Sequence, residues 1–284
     1  MVRIAFWGET GWALGRIGHA IKKYAGHAVD HYHWSSGEQS HKLFFNRWSE
    51  YDIIITTTLF GDYDYGHFFP PDLYRRLLIV SHFPIFNHVQ FREIVCVRPG
   101  ASYAGVSMET CREMERHGLG PAKWMPFGVD TELFPISHAV TTPIRRIGIT
   151  GNPESNEWYT ANKGLPEFAE ICAQLGAEPV YIHGRVGTTD LYENIDLFVC
   201  ASRLEAGPLG IFEAAACGVP VLTRPVGNVQ HVKGIAMFDT VDDAVAQIRD
   251  WNNNIPALIE YTAAITNEVR TNWSMAKLVP MMFE

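Results

Sequence analysis

Ser202-Arg203-Leu204-Glu205-Ala206-Gly207-Pro208-Leu209-Gly210-Ile211-Phe212-Glu213-Ala214-Ala215-Ala216-Cys217-Gly218-Val219-Pro220-Val221 is the most informative stretch of the chain. Gly207 and Pro208 mark the start of a helix, because proline suits a first turn, where its missing N–H has no intrahelical partner to lose. Strand-length apolar runs flank this helix, Asp196 to Ala201 before it and Pro220 to Thr223 after it. A buried strand, a loop, a helix and a second buried strand make one step of a parallel sheet covered on both faces.

The same alternation extends in both directions. Toward the N-terminus of this half lie a strand from Arg146 to Thr150, a helix whose Phe168, Ile171, Cys172 and Leu175 fall at i, i+3, i+4 and i+7, and a strand from Pro179 to His183. Val241, Ala244, Val245 and Ile248 repeat the helical stripe further on. Before the Pro/Thr-rich stretch Pro135 to Pro143 a separate series runs through strands Arg3 to Gly8, Ala28 to Trp34, Asp52 to Thr58, Leu77 to Ser81 and Ile94 to Val97, with a helix opening near Trp12. The reading is an α/β chain of two doubly wound Rossmann-like domains facing across a cleft, residues 1–135 and 136–284, with a last helix that can pack back on the first domain.

Composition narrows the function classes. With 47% hydrophobic and 19% charged residues in 284, the chain has enough apolar material for folded cores. Its longest candidate runs, Ile53 to Ile55 and Leu77 to Val80, are strand-sized and far from the ~18 apolar residues of a membrane span. The first residues, Met1 to Gly8, already read as a strand, so no secretion signal is expected. Five scattered cysteines, Cys96, Cys111, Cys172, Cys200 and Cys217, without a C-x-x-C pair, suit reduced thiols in a cytoplasm. Lys plus Arg against Asp plus Glu is 13 to 14 before residue 135 and 10 to 17 after it, which provides no basic footprint for nucleic acid or an anionic membrane. The twelve histidines form no metal-ligand spacing, and Asp30-His31-Tyr32-His33 reads as an alternating strand.

Glu205 precedes the predicted helix and Glu213 falls about five residues into it, ~7 Å along its axis. Between them lies a helix N-terminus suited to phosphate oxygens. A nucleotide-sugar has that layout: sugar hydroxyls, diphosphate, ribose hydroxyls. The E-x7-E phrase E-A-G-P-L-G-I-F-E-A-A-A-C-G-V-P-V resembles the donor-site signature of retaining glycosyltransferases of the GT-B fold, family 4, also called glycosyl transferases group 1. Phe127-Gly128-Val129-Asp130-Thr131-Glu132-Leu133-Phe134 resembles the family's G-V-D-x-x-x-F, Gly105-Val106-Ser107 its V-S turn before a helix, and Lys163-Gly164 its K-G.

The resemblance implies a metal-independent retaining transferase without a cofactor, taking a UDP-, GDP- or ADP-sugar and a hydroxyl acceptor not specified by the sequence. Glu213 would hold the ribose, Glu205 would contact the donor sugar, the amides around Gly207, Leu209 and Gly210 would face sugar and phosphates, and Lys163 would neutralise the departing diphosphate. His82, after the strand Leu77 to Ser81, resembles the family histidine that contacts donor sugar or acceptor. Gly8, Thr10 and Gly11 would approach the donor phosphates from the first domain. One departure is plain: the family usually has Arg after the glycine of the first C-terminal strand, and here Asn152 follows Gly151. Arg185, at another strand end, would replace that cation, contact the base or stand at the surface.

Asp62-Tyr63-Asp64 imitates the D-x-D of the other major glycosyltransferase fold, where paired carboxylates hold a divalent cation. The C-terminal phrase argues against that core, and Gly61 to Phe69 reads instead as a loop whose Tyr63 and Tyr65, with Trp12, offer aromatic faces to an acceptor. Three alternatives remain open at this level: a nucleotide-sugar epimerase or hydrolase, a DNA-modifying glycosyltransferase, and a non-catalytic nucleotide-sugar-binding protein.

Overall fold

A computed structural model describes residues 1–8, 13–33, 43–44, 46–56, 71–81, 100–183 and 190–284. By contacts the chain divides into two units, Met1–Phe127 with Leu278–Glu284, and Gly128–Lys277. Gly128 to Pro135 thus goes with the second unit. The short tail goes with the first, where the Lys123 ammonium donates to the Met282 carbonyl at 2.9 Å.

The first unit follows the order β1 (Arg3–Gly8), α1 (Ala13–Tyr24), β2 (Ala28–His33), β3 (Ile53–Thr56), α2 (Pro71–Tyr74), β4 (Leu77–Ser81), β5 (Ser102–Gly105), α3 (Met108–Arg116) and β6 (Ala122–Trp124). Its parallel sheet has the order β2-β1-β3-β4-β5-β6. Ile4, Ala5, Phe6 and Trp7 of β1 are all buried, because a central parallel strand is covered on both faces. Trp7 stacks on Phe44 at 5.6 Å between centroids, within a core that includes Tyr51, Ile54, Leu77 and Met114. The Asp30 to His33 segment is a strand: Tyr32 points into the core, and Asp30 accepts from the buried Tyr51 hydroxyl at 2.5 Å. The predicted strand Ile94 to Val97 lies outside the described residues. Two further strands were not expected. Ser-Tyr-Ala-Gly of β5 and Ala-Lys-Trp of β6 have few β-branched residues, so their extended form comes from pairing with β4 and with each other.

The second unit runs β7 (Arg146–Thr150), α4 (Glu157–Asn162), α5 (Leu165–Leu175), β8 (Glu178–Ile182), α6 (Asp190–Glu193), β9 (Leu197–Cys200), α7 (Leu209–Ala216), β10 (Val221–Thr223), β11 (Ala236–Met237), α8 (Val241–Asn253) and α9 (Ile255–Asn272); α10 (Met275–Met281) follows. Its sheet order is β11-β10-β9-β7-β8, again all parallel. In each sheet the unit's second strand stands on one side of the first and the third on the other. Strand order therefore reverses beside β1 in one unit and beside β7 in the other. A doubly wound sheet binds ligands at such a switch point, outside the carboxyl ends of its strands.

Phe168, Ile171 and Cys172 of α5 and Ala244, Val245 and Ile248 of α8 are buried in one core with Ile147, Val199 and Leu222. The two-residue β11 was not expected either. It is held from outside the sheet by Tyr261 of α9, whose hydroxyl donates to the Val221 carbonyl at 2.6 Å and accepts from the Ala236 N–H at 3.2 Å. The four described cysteines are buried, and burial raises the Cys172 and Cys217 thiols to about 11, as expected of small apolar core residues. Among the described residues, no helix is long and apolar enough to cross a membrane.

Two glycines allow a clean test of this packing. Gly164 and Gly176 both adopt left-handed backbone, φ +65° and +63°. A Cβ on Gly176 would meet nothing within 4 Å, whereas one on Gly164 would come 2.1 Å from the Ala201 carbonyl oxygen. Gly176→Ala is expected to cost about 1–2 kcal/mol, the strain of left-handed backbone alone. Gly164→Ala should cost clearly more in urea unfolding, because backbone at the end of β9 must also move.

Candidate functional site

The carboxyl ends of β7 and β9 flank the switch point, and the residues that follow them build the site. After β7, the Gly151 N–H donates to the Ile182 carbonyl at 3.1 Å, and a Cβ there would lie 2.8 Å from Leu165. Asn152 uses its side-chain oxygen to accept from the Glu154 N–H at 3.0 Å, and its carbonyl accepts from Ser155 N–H at 3.1 Å. It therefore shapes the turn leading to α4. Asn156 starts that helix by accepting from the Tyr159 N–H at 2.9 Å.

Lys163 ends α4, and Gly164 is jammed backbone-first against Ala201. The joint is fastened further: the Arg203 N–H donates to the Asn162 carbonyl at 2.8 Å, and the Asn162 amide donates to the Leu204 carbonyl at 3.4 Å. These backbone contacts bring the Lys163 ammonium onto the Glu205 carboxylate in an ion pair, and the Ser202 hydroxyl donates to the same oxygen at 3.2 Å. Burial works against the Lys163 charge. The charge and hydrogen bond of Glu205 outweigh it and hold Lys163 above the ordinary lysine range.

On the other side of Glu205 stands Gly227, at φ +51°, where a Cβ would lie 2.2 Å from the Ala206 carbonyl oxygen; the neighbouring Asn228 N–H donates to that carbonyl at 2.9 Å. The Glu205-Ala206 loop is thus held from both sides. Helix α7 then begins at Leu209, with Pro208, whose ring offers no acceptor, as its N-cap. Pro208 thus stands at the helix entry, as the sequence predicts. Gly210 lets α7 press onto the switch point, since a Cβ would meet the Phe198 ring at 2.7 Å and the Thr150 hydroxyl at 2.8 Å. The start of α7 consequently lies over β7 and β9, its positive dipole end beside the Lys163–Glu205 pair.

Glu213 is the fifth residue of α7 and only 5% exposed. Tyr192, next to the end of α6, donates its hydroxyl to Glu213 Oε2 at 2.6 Å. The Tyr192 ring is wedged edge-on between Phe134, at 6.2 Å, and Phe198 of β9, at 5.9 Å. Phe134 closes the Gly128–Phe134 phrase, in which Asp130 holds a turn by accepting from the Glu132, Leu133 and Phe134 N–H groups. Arg270 of α9 secures the far end of α7, donating to the carbonyls of Ala216 at 3.1 Å and Phe134 at 2.9 Å.

Residues 146–254 match the family model described as glycosyl transferases group 1. Over that span the chain carries a group 1 glycosyltransferase domain. No curated protein sequence matches it. Among solved structures, sucrose-phosphate synthase from Thermosynechococcus elongatus matches over 100% of this chain and 98% of its own, with a TM-score of 0.71 at 13% identity. The catalytic domain of starch synthase IV from Arabidopsis thaliana, bound to ADP and acarbose, matches over 99% and 98%, with a TM-score of 0.68 at 10% identity. An α,α-trehalose-phosphate synthase from Burkholderia vietnamiensis matches over 100% and 96%, at 0.64 and 10%. The shared architecture is the GT-B fold.

Within this domain, the sequence-derived residues Lys163, Glu205, Gly207, Leu209, Gly210 and Glu213 belong to one strand-end neighbourhood of the second unit. Asn152 follows the adjacent β7. Gly8 ends β1 at the switch point of the first sheet, paired in register with His33 and beside β3. Thr10, Gly11, Trp12, Tyr63, Tyr65, His82 and Arg185, together with Asp62 and Asp64, lie outside the described residues. Sequence reasoning passed over Tyr192 and Ser202. The signal for Ser202 was its place three residues before Glu205; for Tyr192 there was none beyond an aromatic near a strand, because its partner lies 21 residues away.

Because Lys163 is held above its ordinary pKa, its pairing energy is fully present below the unfolded lysine value of about 10.4 and is lost as pH rises through the folded value. Glu205→Gln leaves a part-buried ammonium without its charge partner and should cost about 1–3 kcal/mol near neutral pH. In urea unfolding, that deficit relative to wild type is expected to stay level from about pH 7 to 9 and to shrink above about pH 10.4.

Proposed function

We propose that the second unit binds a nucleoside-diphosphate sugar and transfers the sugar, with retention of configuration and without a metal ion, to a hydroxyl acceptor. The observation that carries this reading is the placement of a lysine–glutamate pair beside the N-terminus of α7, with a second, tyrosine-bonded glutamate inside the same helix. In the proposed complex Glu213 receives the ribose hydroxyls, the first-turn amides near Gly207, Leu209 and Gly210 face the diphosphate, and Glu205 meets the sugar. The ADP bound to the catalytic domain of starch synthase IV supports a nucleotide at a fold of this kind. The donor is a UDP-, GDP- or ADP-sugar. The buried thiols of the described cysteines suit a cytoplasmic setting.

Transfer breaks the bond between the anomeric carbon and the diphosphate oxygen and forms the bond to the acceptor oxygen on the same face. The acceptor proton passes to the departing phosphate. The charge that develops on the leaving group is met by Lys163 and by the helix N-terminus, fixed donors that need no reorganisation during the reaction. An ammonium has three N–H donors. Lys163 can therefore stay bonded to Glu205 while turning another donor to phosphate. Asn152, its oxygen engaged in a turn, stabilises the loop that carries α4 and hence Lys163.

The test is release of nucleoside diphosphate from UDP-, GDP- and ADP-sugars, with and without EDTA. Release is expected with one nucleotide class, unchanged by EDTA, about a hundredfold lower or more in Lys163→Ala. Glu213→Ala is expected to raise KM for the donor about tenfold. Loss of release in EDTA would overturn metal independence, and absence of binding to all three donors would overturn the donor reading.

A further inference from the structure

A carboxylate that is 5% exposed and sits in mid-helix needs hydrogen-bond donors from outside its own helix, since the backbone N–H groups there are committed to the helix ladder. The Tyr192 hydroxyl, at 2.6 Å from Oε2, is such a donor. Tyr192 is itself 2% exposed, and its ring is held on two sides by Phe134 and Phe198. The hydroxyl is therefore fixed by packing before any ligand arrives. A donor fixed in this way sets both the position of one carboxylate oxygen and the plane of the group, and a vicinal diol reads that plane, because its two hydroxyls must reach the carboxylate together.

We propose that Tyr192 is a positioning residue for the nucleotide: its hydroxyl fixes the Glu213 carboxylate in the plane that receives the ribose diol. This rests on the reading of Glu213 given above. Phe134 and Phe198 act one step further back by holding the ring. Tyr192→Phe removes the hydroxyl and keeps the ring, so the packing is preserved.

The experiment measures binding of UDP, GDP and ADP, and of their 2′,3′-dideoxy counterparts, to wild type, Tyr192→Phe, Glu213→Ala and the double variant. In wild type the nucleotide that binds best is expected to exceed its dideoxy counterpart about tenfold or more. Tyr192→Phe should weaken the ribonucleotide about tenfold and the dideoxy form less than twofold, so the preference collapses. On the Glu213→Ala background the same change should alter binding less than twofold, because the two residues act as one unit. Phe134→Leu, which keeps the hydroxyl but loosens the ring, should erode the preference partway. If Glu213→Ala leaves the preference intact, the reading of Glu213 fails. If Glu213→Ala abolishes it while Tyr192→Phe retains it, or weakens both nucleotide forms equally, Tyr192 is structural only and the inference fails alone.

Discussion

The second unit depends on one close approach, that of the Gly164 backbone to the Ala201 carbonyl at the end of β9. Any side chain at residue 164 would occupy the space of that carbonyl oxygen. Because glycine is there, the short helix α4 can end against the sheet, and the residue before the glycine is delivered to the loop that follows β9. The Asn162 and Arg203 hydrogen bonds then close the joint. Lys163 and Glu205 meet as a consequence of backbone fit. Their ion pair adds charge specificity to a contact that hydrogen bonds and shape have already made.

A second chain of contacts fixes the other half of the site. It begins at the turn held by Asp130, passes through the edge of Phe134 to the Tyr192 ring, and ends at the Glu213 carboxylate. Arg270 ties the same turn to the end of α7 by donating to carbonyls of both. A cation at a helix C-terminus also opposes the negative end of the dipole. The Gly128–Phe134 phrase, distant in sequence from the two glutamates, is thus part of what orients one of them. Helix α7 is held at its start by glycine packing over β7 and β9 and at its end by Arg270, so its first turn and Glu213 keep a constant separation.

Much of this was legible in the sequence for a local reason. Apolar strands such as Arg3–Gly8 and Leu197–Cys200 are buried on both faces and show as runs of apolar residues, and the helical stripes at Phe168 and Ala244 are periodic. Short strands at the sheet margins were not legible. β5, β6 and β11 are two to four residues long, and their composition does not favour extension. Their form is imposed by neighbouring strands and, for β11, by the hydroxyl of Tyr261 from a helix later in the chain.

At the site, local sequence specifies which chemistry is present: two glutamates at fixed spacing on either side of a helix start, a lysine followed by a glycine, and the order of elements that brings both to strand ends. These follow from chain connectivity and helical rise, which are local properties. Which groups touch is set by how the elements pack. That Lys163 is bonded to Glu205 and that Tyr192 reaches Glu213 depend on strands and helices meeting across 42 and 21 residues of chain. Side-chain contacts of that kind are set by the packing of whole elements, and no short-range pattern in the sequence encodes them.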